Sequence, residues 1–375
     1  MRNTLLIAVA LAAVGFAGFS AAKFRTNPDS GGDNTLISVG PMHTPRAVHT
    51  STLLADGSVL ITGGFAQDRE SDPFATVEIF DAERNAFKSG GKMTMGRQSH
   101  SASVLPVGTV LIVGGYGAGA MSTSEIYDPG TNASEPAAKP VTGRAAHRAT
   151  ELLDGRILIT GGNGEAGSVL SSVEAYDPTA GEFRQVGSLT SPRVGHTQTL
   201  LDGGSVLIVG GTSGWRNATK ILATAEVFDP AKNTSVSVGE MNTPRYKHAA
   251  VRLADGRVLV VGGSNENDFR GRYDTAEIYD PSTRTFTETN RLKSARFKLR
   301  TAVARLADGL VLIAGGSDVI EIFDPRSQVF EALPDRFDTA RFFASATALP
   351  DGRALITGGY DQRIQSTSKA WLYMP

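Results

Sequence analysis

The chain has 375 residues, 42 of them glycine, with 41% hydrophobic and 20% charged residues, which fits an ordered protein made of two domains or one large repeat array. Its 37 lysines and arginines against 38 aspartates and glutamates give a net charge of −1, which argues against nucleic acid as a partner. The absence of cysteine excludes disulfides, thiolate catalysis and cysteine-ligated metals.

The first 22 residues differ in composition from the rest. Arg2 gives a basic start, and Leu5 to Ala22 is apolar except for Ser20. This pattern predicts a secretory signal peptide cleaved after about Ala22. The run also reaches the lower length limit of a membrane span, so an uncleaved anchor is the alternative. We therefore expect a periplasmic or secreted protein that contacts membrane only if this segment is retained. Residues 23–34 are predicted to form a flexible linker.

One sequence unit recurs seven times between residues 35 and 375. Each copy contains an apolar run that ends in a Gly-Gly pair. The number of residues between successive pairs is typical of a large repeat array. We number the units one to seven by these pairs, which are Gly63-Gly64, Gly114-Gly115, Gly161-Gly162, Gly210-Gly211, Gly262-Gly263, Gly315-Gly316 and Gly358-Gly359.

Each unit contains the strands and turns of a four-stranded sheet. In unit four, Asp202-Gly203 separates two β-type runs, and Asp-Gly is a strong signal for a tight hairpin. Asp229-Pro230 separates the next two runs, because proline cannot continue a β-ladder. The sequence therefore predicts an all-β, seven-bladed β-propeller with four antiparallel strands per blade.

The two ends of the array complement each other. Residues 370–375 match the third strand of the other units, and unit seven has no fourth strand. Residues 36–42 match a fourth strand and the connection that follows it. We predict that Leu36 to Val39 complete the last blade and close the ring, which leaves no open sheet edge.

The Gly-Gly pair, the third-strand pattern Glu-[Ile/Val/Ala]-[Tyr/Phe]-Asp and the arginine that opens each unit resemble the kelch family over residues 35–375. With the predicted signal peptide, this resemblance implies an exported bacterial kelch-like propeller. Copper radical oxidases of the galactose-oxidase type also have kelch propellers, but their activity needs a cysteine crosslinked to tyrosine. Exported sialate mutarotases are similar as well, yet their blades usually carry tryptophan where this chain has Phe87, Phe183, Phe286 and Phe330.

Five of the six histidines lie three residues after the arginine that opens a unit. They are His49, His100, His147, His196 and His248, and units six and seven have Leu299 and Ala344 there. Recurrence with the unit favours a structural role in which each histidine hydrogen-bonds backbone between blades. Convergence on the channel is the alternative, but such a ring would be incomplete. We predict no metal site and no cofactor.

The arginines that open the units, here called the repeat arginines, are Arg46, Arg97, Arg144, Arg193, Arg245, Arg296 and Arg341. Six third strands carry a glutamate, and Trp371 takes the seventh place; the glutamates are Glu78, Glu125, Glu174, Glu226, Glu277 and Glu321. The nearly equal numbers favour intramolecular pairs. Similar kelch domains that bind acidic peptides use arginines at this position, so an anion-binding ring is the alternative.

Unit six breaks the repeat pattern. Its loop from Gly316 to Glu321 is short, and residues 296–300 contain a two-residue insertion rich in basic side chains. We predict a positively charged notch here, flanked by the loops of units five and seven; a solvated charge cluster is the alternative. The candidate ligand-binding residues are Trp215, Arg216, Asp268, Arg270, Arg296, Lys298, Arg300, Arg341, Tyr360 and Arg363.

The leading hypothesis is a non-catalytic, monomeric module that binds a protein, peptide or glycan on the face bearing the Gly-Gly loops. The alternative is an enzyme that acts on a carbohydrate or small acid at the channel mouth. Convergent arginines with an unpaired acid in one pocket would favour the enzyme. No catalytic residues can be assigned, because no nucleophile–base combination stands out.

Overall fold

A computed structural model describes residues 34–67, 72–214 and 220–375. The predicted signal peptide or anchor, the linker up to residue 33, and the candidates Trp215 and Arg216 lie outside the described residues. Within this part of the chain there are 28 strands and one short 3-10 turn, Glu165–Gly167. No helix in the described part of the chain is long and apolar enough to cross a membrane.

Each unit contributes four strands. The first strands are β2 (Thr50–Leu53), β6 (Ser101–Val104), β10 (Arg148–Glu151), β14 (Thr197–Leu200), β18 (Ala249–Arg252), β22 (Val303–Arg305) and β26 (Ser345–Ala348). The second strands are β3 (Val59–Thr62), β7 (Val110–Val113), β11 (Ile157–Thr160), β15 (Val206–Val209), β19 (Val258–Val261), β23 (Val311–Ile313) and β27 (Ala354–Thr357).

The remaining strands form the outer half of each unit. The third strands are β4 (Thr76–Asp81), β8 (Ser124–Asp128), β12 (Ser172–Asp177), β16 (Thr224–Asp229), β20 (Ala276–Asp280), β24 (Val319–Asp324) and β28 (Ala370–Met374). The fourth strands are β5 (Ala86–Lys92), β9 (Ala133–Pro136), β13 (Glu182–Ser188), β17 (Thr234–Glu240), β21 (Thr285–Glu288), β25 (Val329–Arg336) and, for unit seven, β1 (Thr35–Val39).

The strands of each unit pair antiparallel in order. Units three to seven form separate four-stranded sheets, and units one and two share an eight-stranded sheet through one parallel pair, Lys92 with Ala133. Each first strand contacts the first strand of the next unit, and β26 contacts β2. The first strands therefore form a closed circle around a central space, here called the axial channel. The predicted all-β propeller class is confirmed.

Hydrophobic packing between neighbouring units forms the core. The second strands are fully buried, since both of their faces meet neighbouring sheets. Leu158 of unit three, for example, shares a cluster with Val206 and Phe228 of unit four. Such clusters recur around the circle, so the units stabilise one another.

Glycine is required where units approach closely. In unit four, Gly210 has φ of 61°, and a Cβ there would lie 2.6 Å from the carbonyl oxygen of Arg245 in the next unit. A Cβ on Gly211 would lie 2.8 Å from the Val194 carbonyl oxygen. Both values are shorter than ordinary carbon–oxygen contacts. The Gly-Gly pair thus allows backbone to approach backbone.

The hairpin turn of unit four differs slightly from the prediction. The residue in the left-handed region is Gly204, with φ of 79°, and its amide donates to the Leu201 carbonyl oxygen. Asp202-Gly203 occupies the two preceding turn positions. The other units place the glycine of Asp-Gly or Val-Gly in this role, as at Gly57.

The N-terminal strand closes the circle as predicted. β1 pairs antiparallel with β28 over five residues, from Thr35 opposite Met374 to Val39 opposite Ala370. The Leu36 amide also donates to Asp335 of unit six at 2.8 Å. Val39 packs on the cluster shared by units seven and one, so the closure has the same kind of core as the other unit boundaries.

We expect Leu36→Asp to lower the free energy of unfolding by about 2 kcal/mol, because Leu36 packs on a hydrophobic cluster of units six and seven. Ile37→Asp is the matched control, since Ile37 is 48% exposed in the same strand. Urea unfolding of both variants measures the difference. Equal stability of the two variants would contradict a packed closure.

Candidate binding face and axial channel

The repeat arginines of units one to six form buried ion pairs with the repeat glutamates. In unit four, an Nη2 of Arg193 donates to Oε1 of Glu226 at 2.6 Å, and both side chains are fully buried. Arg193 also donates to the Gly210 carbonyl oxygen at 2.8 Å. The same carboxylate accepts the Thr190 amide at 2.7 Å. The pair therefore fixes the connection that enters the unit, in agreement with the favoured prediction of intramolecular pairs.

Unit seven uses a different partner. Trp371 replaces the glutamate, and the Arg341 guanidinium lies 5.8 Å from the centre of its indole ring. Arg341 pairs instead with Asp338 at 2.5 Å, three residues earlier in the connection. Arg296 and Arg341, both predicted to bind ligand, are thus buried and already paired with carboxylates of the same chain.

The five repeat histidines join neighbouring units. His196 Nε2 lies 3.0 Å from the Thr160 hydroxyl of unit three, and His248 Nε2 lies 3.0 Å from the Thr197 hydroxyl of unit four. The structural role is therefore as expected, although the partners are hydroxyl groups rather than backbone. Burial, then the charges of Arg46 and Arg300, lowers the pKa of His49 to about 3, so this ring is neutral at pH 7.

A ring of backbone hydrogen bonds surrounds the channel on the face that carries the Gly-Gly loops. The residue two positions after each repeat arginine has a left-handed backbone. In five units its amide donates to the equivalent carbonyl of the preceding unit, as from Phe343 to Lys298 at 2.9 Å, and in unit six the Leu299 amide donates to Lys247 instead. We call these residues the mouth ring; they are Val48, Ser99, Ala146, Gly195, Lys247, Lys298 and Phe343.

The two lysines of the mouth ring share one carboxylate. Asp268, on the loop of unit five, lies 2.7 Å from Lys247 Nζ and 3.6 Å from Lys298 Nζ. It also accepts the Tyr246 hydroxyl at 2.9 Å. Burial raises the pKa of Asp268, but the charges of Lys247 and Lys298 outweigh burial and hold the pKa below its usual value. The predicted candidates Asp268 and Lys298 are therefore brought together.

An aromatic cluster lies beside these lysines. Phe297, from the insertion of unit six, packs against Phe342 of unit seven with ring centres 5.3 Å apart, and Lys298 Nζ lies 5.6 Å from the Tyr360 ring centre. Phe269 of unit five contacts both phenylalanines edge-on and is 40% exposed. We call this set the aromatic patch; its members are Phe65, Phe269, Phe297, Phe342, Phe343 and Tyr360.

Basic side chains flank the exposed edge of the aromatic patch. The Arg272 guanidinium lies 4.4 Å from the Phe269 ring centre, a cation–π distance. Arg270 is also exposed on this loop, and Arg363 is exposed on the loop of unit seven. Sequence reasoning missed Phe269 and Arg272, although both lie in a loop that it singled out.

The structure does not group the basic residues of the predicted notch at one place on the loop face. Of these three residues, Arg296 is buried against Glu321, and Lys298 lies against the aromatic patch. Arg300 reaches across to unit two, where its Nη2 donates to the His100 carbonyl oxygen at 2.8 Å. The segment of the insertion therefore buries Phe297 in the aromatic patch and sends the Arg300 guanidinium across to unit two.

Arg148 is a second arginine in the channel. It follows His147, and its Nε donates to the His196 carbonyl oxygen of unit four at 2.7 Å. Arg148 begins the first strand of unit three, opposite the residue before the Gly-Gly pair. We call this position the channel ring; its residues are Thr50, Ser101, Arg148, Thr197, Ala249, Ala302 and Ser345. Arg300 lies two residues before Ala302, in the insertion of unit six.

Comparison with known proteins supports the repeat assignment. The Kelch motif matches residues 144–190, 199–242 and 245–293. A protein described as an F-box/kelch-repeat protein of Arabidopsis thaliana is 30% identical over 119 residues, 31% of this chain and 33% of that protein. Galactose oxidase of Gibberella zeae is 36% identical over 86 residues, 22% of this chain and 13% of that enzyme. The chain thus aligns with a third or less of either relative.

A solved structure shares the fold. A fungal alcohol oxidase in complex with copper superposes with a TM-score of 0.73 at 16% identity, covering 92% of this chain and 76% of that structure. This similarity supports the β-propeller architecture.

The residues of this chain do not fit a copper radical site. No cysteine occurs at any of the 375 positions, so a cysteine–tyrosine crosslink cannot form. Among the described residues, no three histidine, aspartate or glutamate side chains are grouped so that they could hold a metal ion. The repeat histidines instead bind neighbouring hydroxyl groups.

Proposed function

This chain is a kelch-repeat protein, and on that premise we propose that it is a binding module whose recognition surface is the aromatic patch with its flanking cations. The carrying observation is Phe269, a large apolar side chain that is exposed while its ring rests on buried aromatics. Exposed aromatics on a rigid base, beside arginine, are typical binding anchors.

The charge around the patch indicates the chemistry of the partner. Lys247, Lys298, Arg270 and Arg272 lie around Phe269, and only Asp268 and Glu266 oppose them on this loop. The excess of positive charge favours a partner with acidic side chains. We propose a protein or peptide segment in which an apolar residue lies next to aspartate or glutamate.

The alternative enzyme is less well supported. It requires an unpaired acid near convergent arginines, and the acid at the channel mouth, Asp268, is paired with Lys247 and Lys298. The channel arginines Arg148 and Arg300 have no acid within pairing distance among the described residues. A binding role is consistent with cations that lack a general acid or base.

We expect the double change Phe269→Ser and Arg272→Glu to weaken binding of the preferred segment at least about tenfold. The probe is an immobilised peptide array that pairs leucine or phenylalanine with aspartate or glutamate, with the acids replaced by lysine in the matched series. Val107→Ser is the control, since Val107 is 82% exposed at a hairpin on the opposite face.

The array separates this proposal from its competitors. Selective binding to the acidic series that is lost in the double variant and kept in Val107→Ser supports the proposal. Equal binding to the acidic and the lysine series overturns the proposal, and so does binding that the double variant retains. Selective binding on a glycan array instead would assign the face to carbohydrate.

We also propose that the protein acts outside the cytoplasm, because residues 5–22 form an apolar segment that ends in small residues. Intact-mass measurement of the chain from an exporting bacterial host tests this. A mass that corresponds to a start near Lys23 supports a cleaved signal, and a full-length chain in the membrane fraction supports an anchor.

A further inference from the structure

We propose that Arg148 and Arg300 form a binding site for a small oxyanion, a carboxylate, phosphate or sulfate, inside the axial channel. This inference goes beyond the proposed function, since the channel residues are separate from the aromatic patch. It depends on the position of the two arginines in the repeat, their geometry and their unbalanced charge.

The repeat requires neither arginine. In the other six units the channel ring carries a small side chain, threonine, serine or alanine, and the sheets of those units form normally. Arg300 lies in an insertion that the other units lack. Arginine here is therefore not needed to build a unit. A long cation at a position where the fold accepts alanine indicates a purpose other than packing.

The two guanidinium groups bind equivalent backbone acceptors in two different units. Arg148 reaches the carbonyl oxygen of His196, and Arg300 crosses from unit six to the carbonyl oxygen of His100 in unit two. Both acceptors are backbone groups of repeat histidines. Each arginine uses one nitrogen in this way, and its other nitrogens donate no hydrogen bond to the described residues.

The charges of these arginines are not neutralised by the described part of the chain. No described carboxylate lies within 4.0 Å of either guanidinium, in contrast to the repeat arginines. Burial, with the charge of Arg300 as the second cause, lowers the pKa of Arg148 to about 9. Burial alone lowers the pKa of Arg300 to about 10. Both groups therefore remain charged at pH 7.

The neighbouring groups leave this positive charge in place. Burial is the largest cause that lowers the pKa of His100 and His147, so neither imidazole carries charge at pH 7. Two planar cations without a carboxylate partner suit a small oxyanion.

The enclosure limits the size of the ligand. Because the first strands form a closed circle, a ligand would have to enter from the mouth ring or from the opposite end. Lys247 and Lys298 at the mouth ring would attract an anion toward this entrance. A single carboxylate, phosphate or sulfate group is therefore favoured over a chain of charges.

The test is thermal unfolding at constant ionic strength with millimolar phosphate, sulfate, malonate or acetate, against chloride. We expect at least one oxyanion to raise the Tm of the full chain by about 3 °C or more over chloride, as a specific ligand would. The rank order of the four anions distinguishes the phosphate, sulfate and carboxylate sources. Arg148→Thr, which copies the residue of units one and four, should abolish the increase.

Arg305→Thr is the matched control, because Arg305 is exposed on the first strand of unit six. The Arg305→Thr variant should keep the full increase in Tm that the oxyanion causes. Arg148→Thr should also raise the Tm of the anion-free protein, since it removes repulsion between like charges, whereas a purely structural arginine would lower it when replaced. The proposal is overturned if all four anions change the Tm no more than chloride does, or if Arg148→Thr shows the same increase in Tm as the parent chain. Either result would leave binding of a peptide segment by the aromatic patch unaffected.

Discussion

Acidification from pH 6.5 to pH 5.5 should lower the free energy of unfolding by roughly 5 kcal/mol, because five histidines are held neutral in the fold. Burial, followed by Arg46 and Arg300, lowers the pKa of His49 to about 3. Burial is also the largest cause that lowers the pKa of the other four histidines well below 6.5. These are His100, His147, His196 and His248.

The sign follows from proton binding by the two states. Below pH 6.5 the unfolded chain protonates these imidazoles, while the folded chain keeps them neutral until the pH approaches the lowered pKa. The unfolded state then binds more protons, so stability falls as the pH falls, by about 1 kcal/mol per pH unit for each histidine. The contribution of the neutral histidines to stability is fully present above pH 6.5 and is lost progressively as the pH falls toward 3.

Urea unfolding at pH 7.5, 6.5 and 5.5 measures this slope. His248→Leu is the informative variant, since it copies Leu299, the residue that unit six has at the same position. We expect its slope to be about one fifth smaller than that of the parent chain. An unchanged slope in His248→Leu, or a parent chain equally stable at pH 7.5 and 5.5, would refute the role of the histidines.

Much of the fold could be predicted from the sequence because the repeat encodes it locally. The Gly-Gly pair marks the close approach of neighbouring units, as at Gly210, and the match between residues 36–42 and a fourth strand predicts the closure. The balance of repeat arginines and glutamates likewise predicts buried pairs. These features repeat, so each unit supports the interpretation of the others.

The candidate site was harder to predict because it depends on departures from the repeat. The insertion of unit six is visible in the sequence, but spacing does not tell that Phe297 turns into the protein while Arg300 turns into the channel. Arg148 escaped notice although a signal was present. Its position holds a small residue in six units and arginine in one, a contrast that alignment of the units exposes.

Breaking one of the buried ion pairs should be the most damaging single substitution. Glu226→Ala is expected to cost about 3–5 kcal/mol of unfolding free energy, because it leaves the fully buried Arg193 charge without a partner. It also removes the acceptor of the Thr190 amide, which lies in the connection from unit three. The lost ion pair and hydrogen bond lie at the boundary between units three and four, where the two sheets pack together.

Two comparisons isolate the cause. Glu182→Ala removes an exposed partner of Arg184 and should change stability by less than about 1 kcal/mol. The double variant Arg193→Met with Glu226→Leu should be more stable than Glu226→Ala, since it leaves no buried charge. If Glu226→Ala unfolds at the same urea concentration as Glu182→Ala, the pair does not stabilise the unit. If the double variant is the least stable of the three, the bonds from Arg193 to backbone, rather than its charge balance, hold the connection in place.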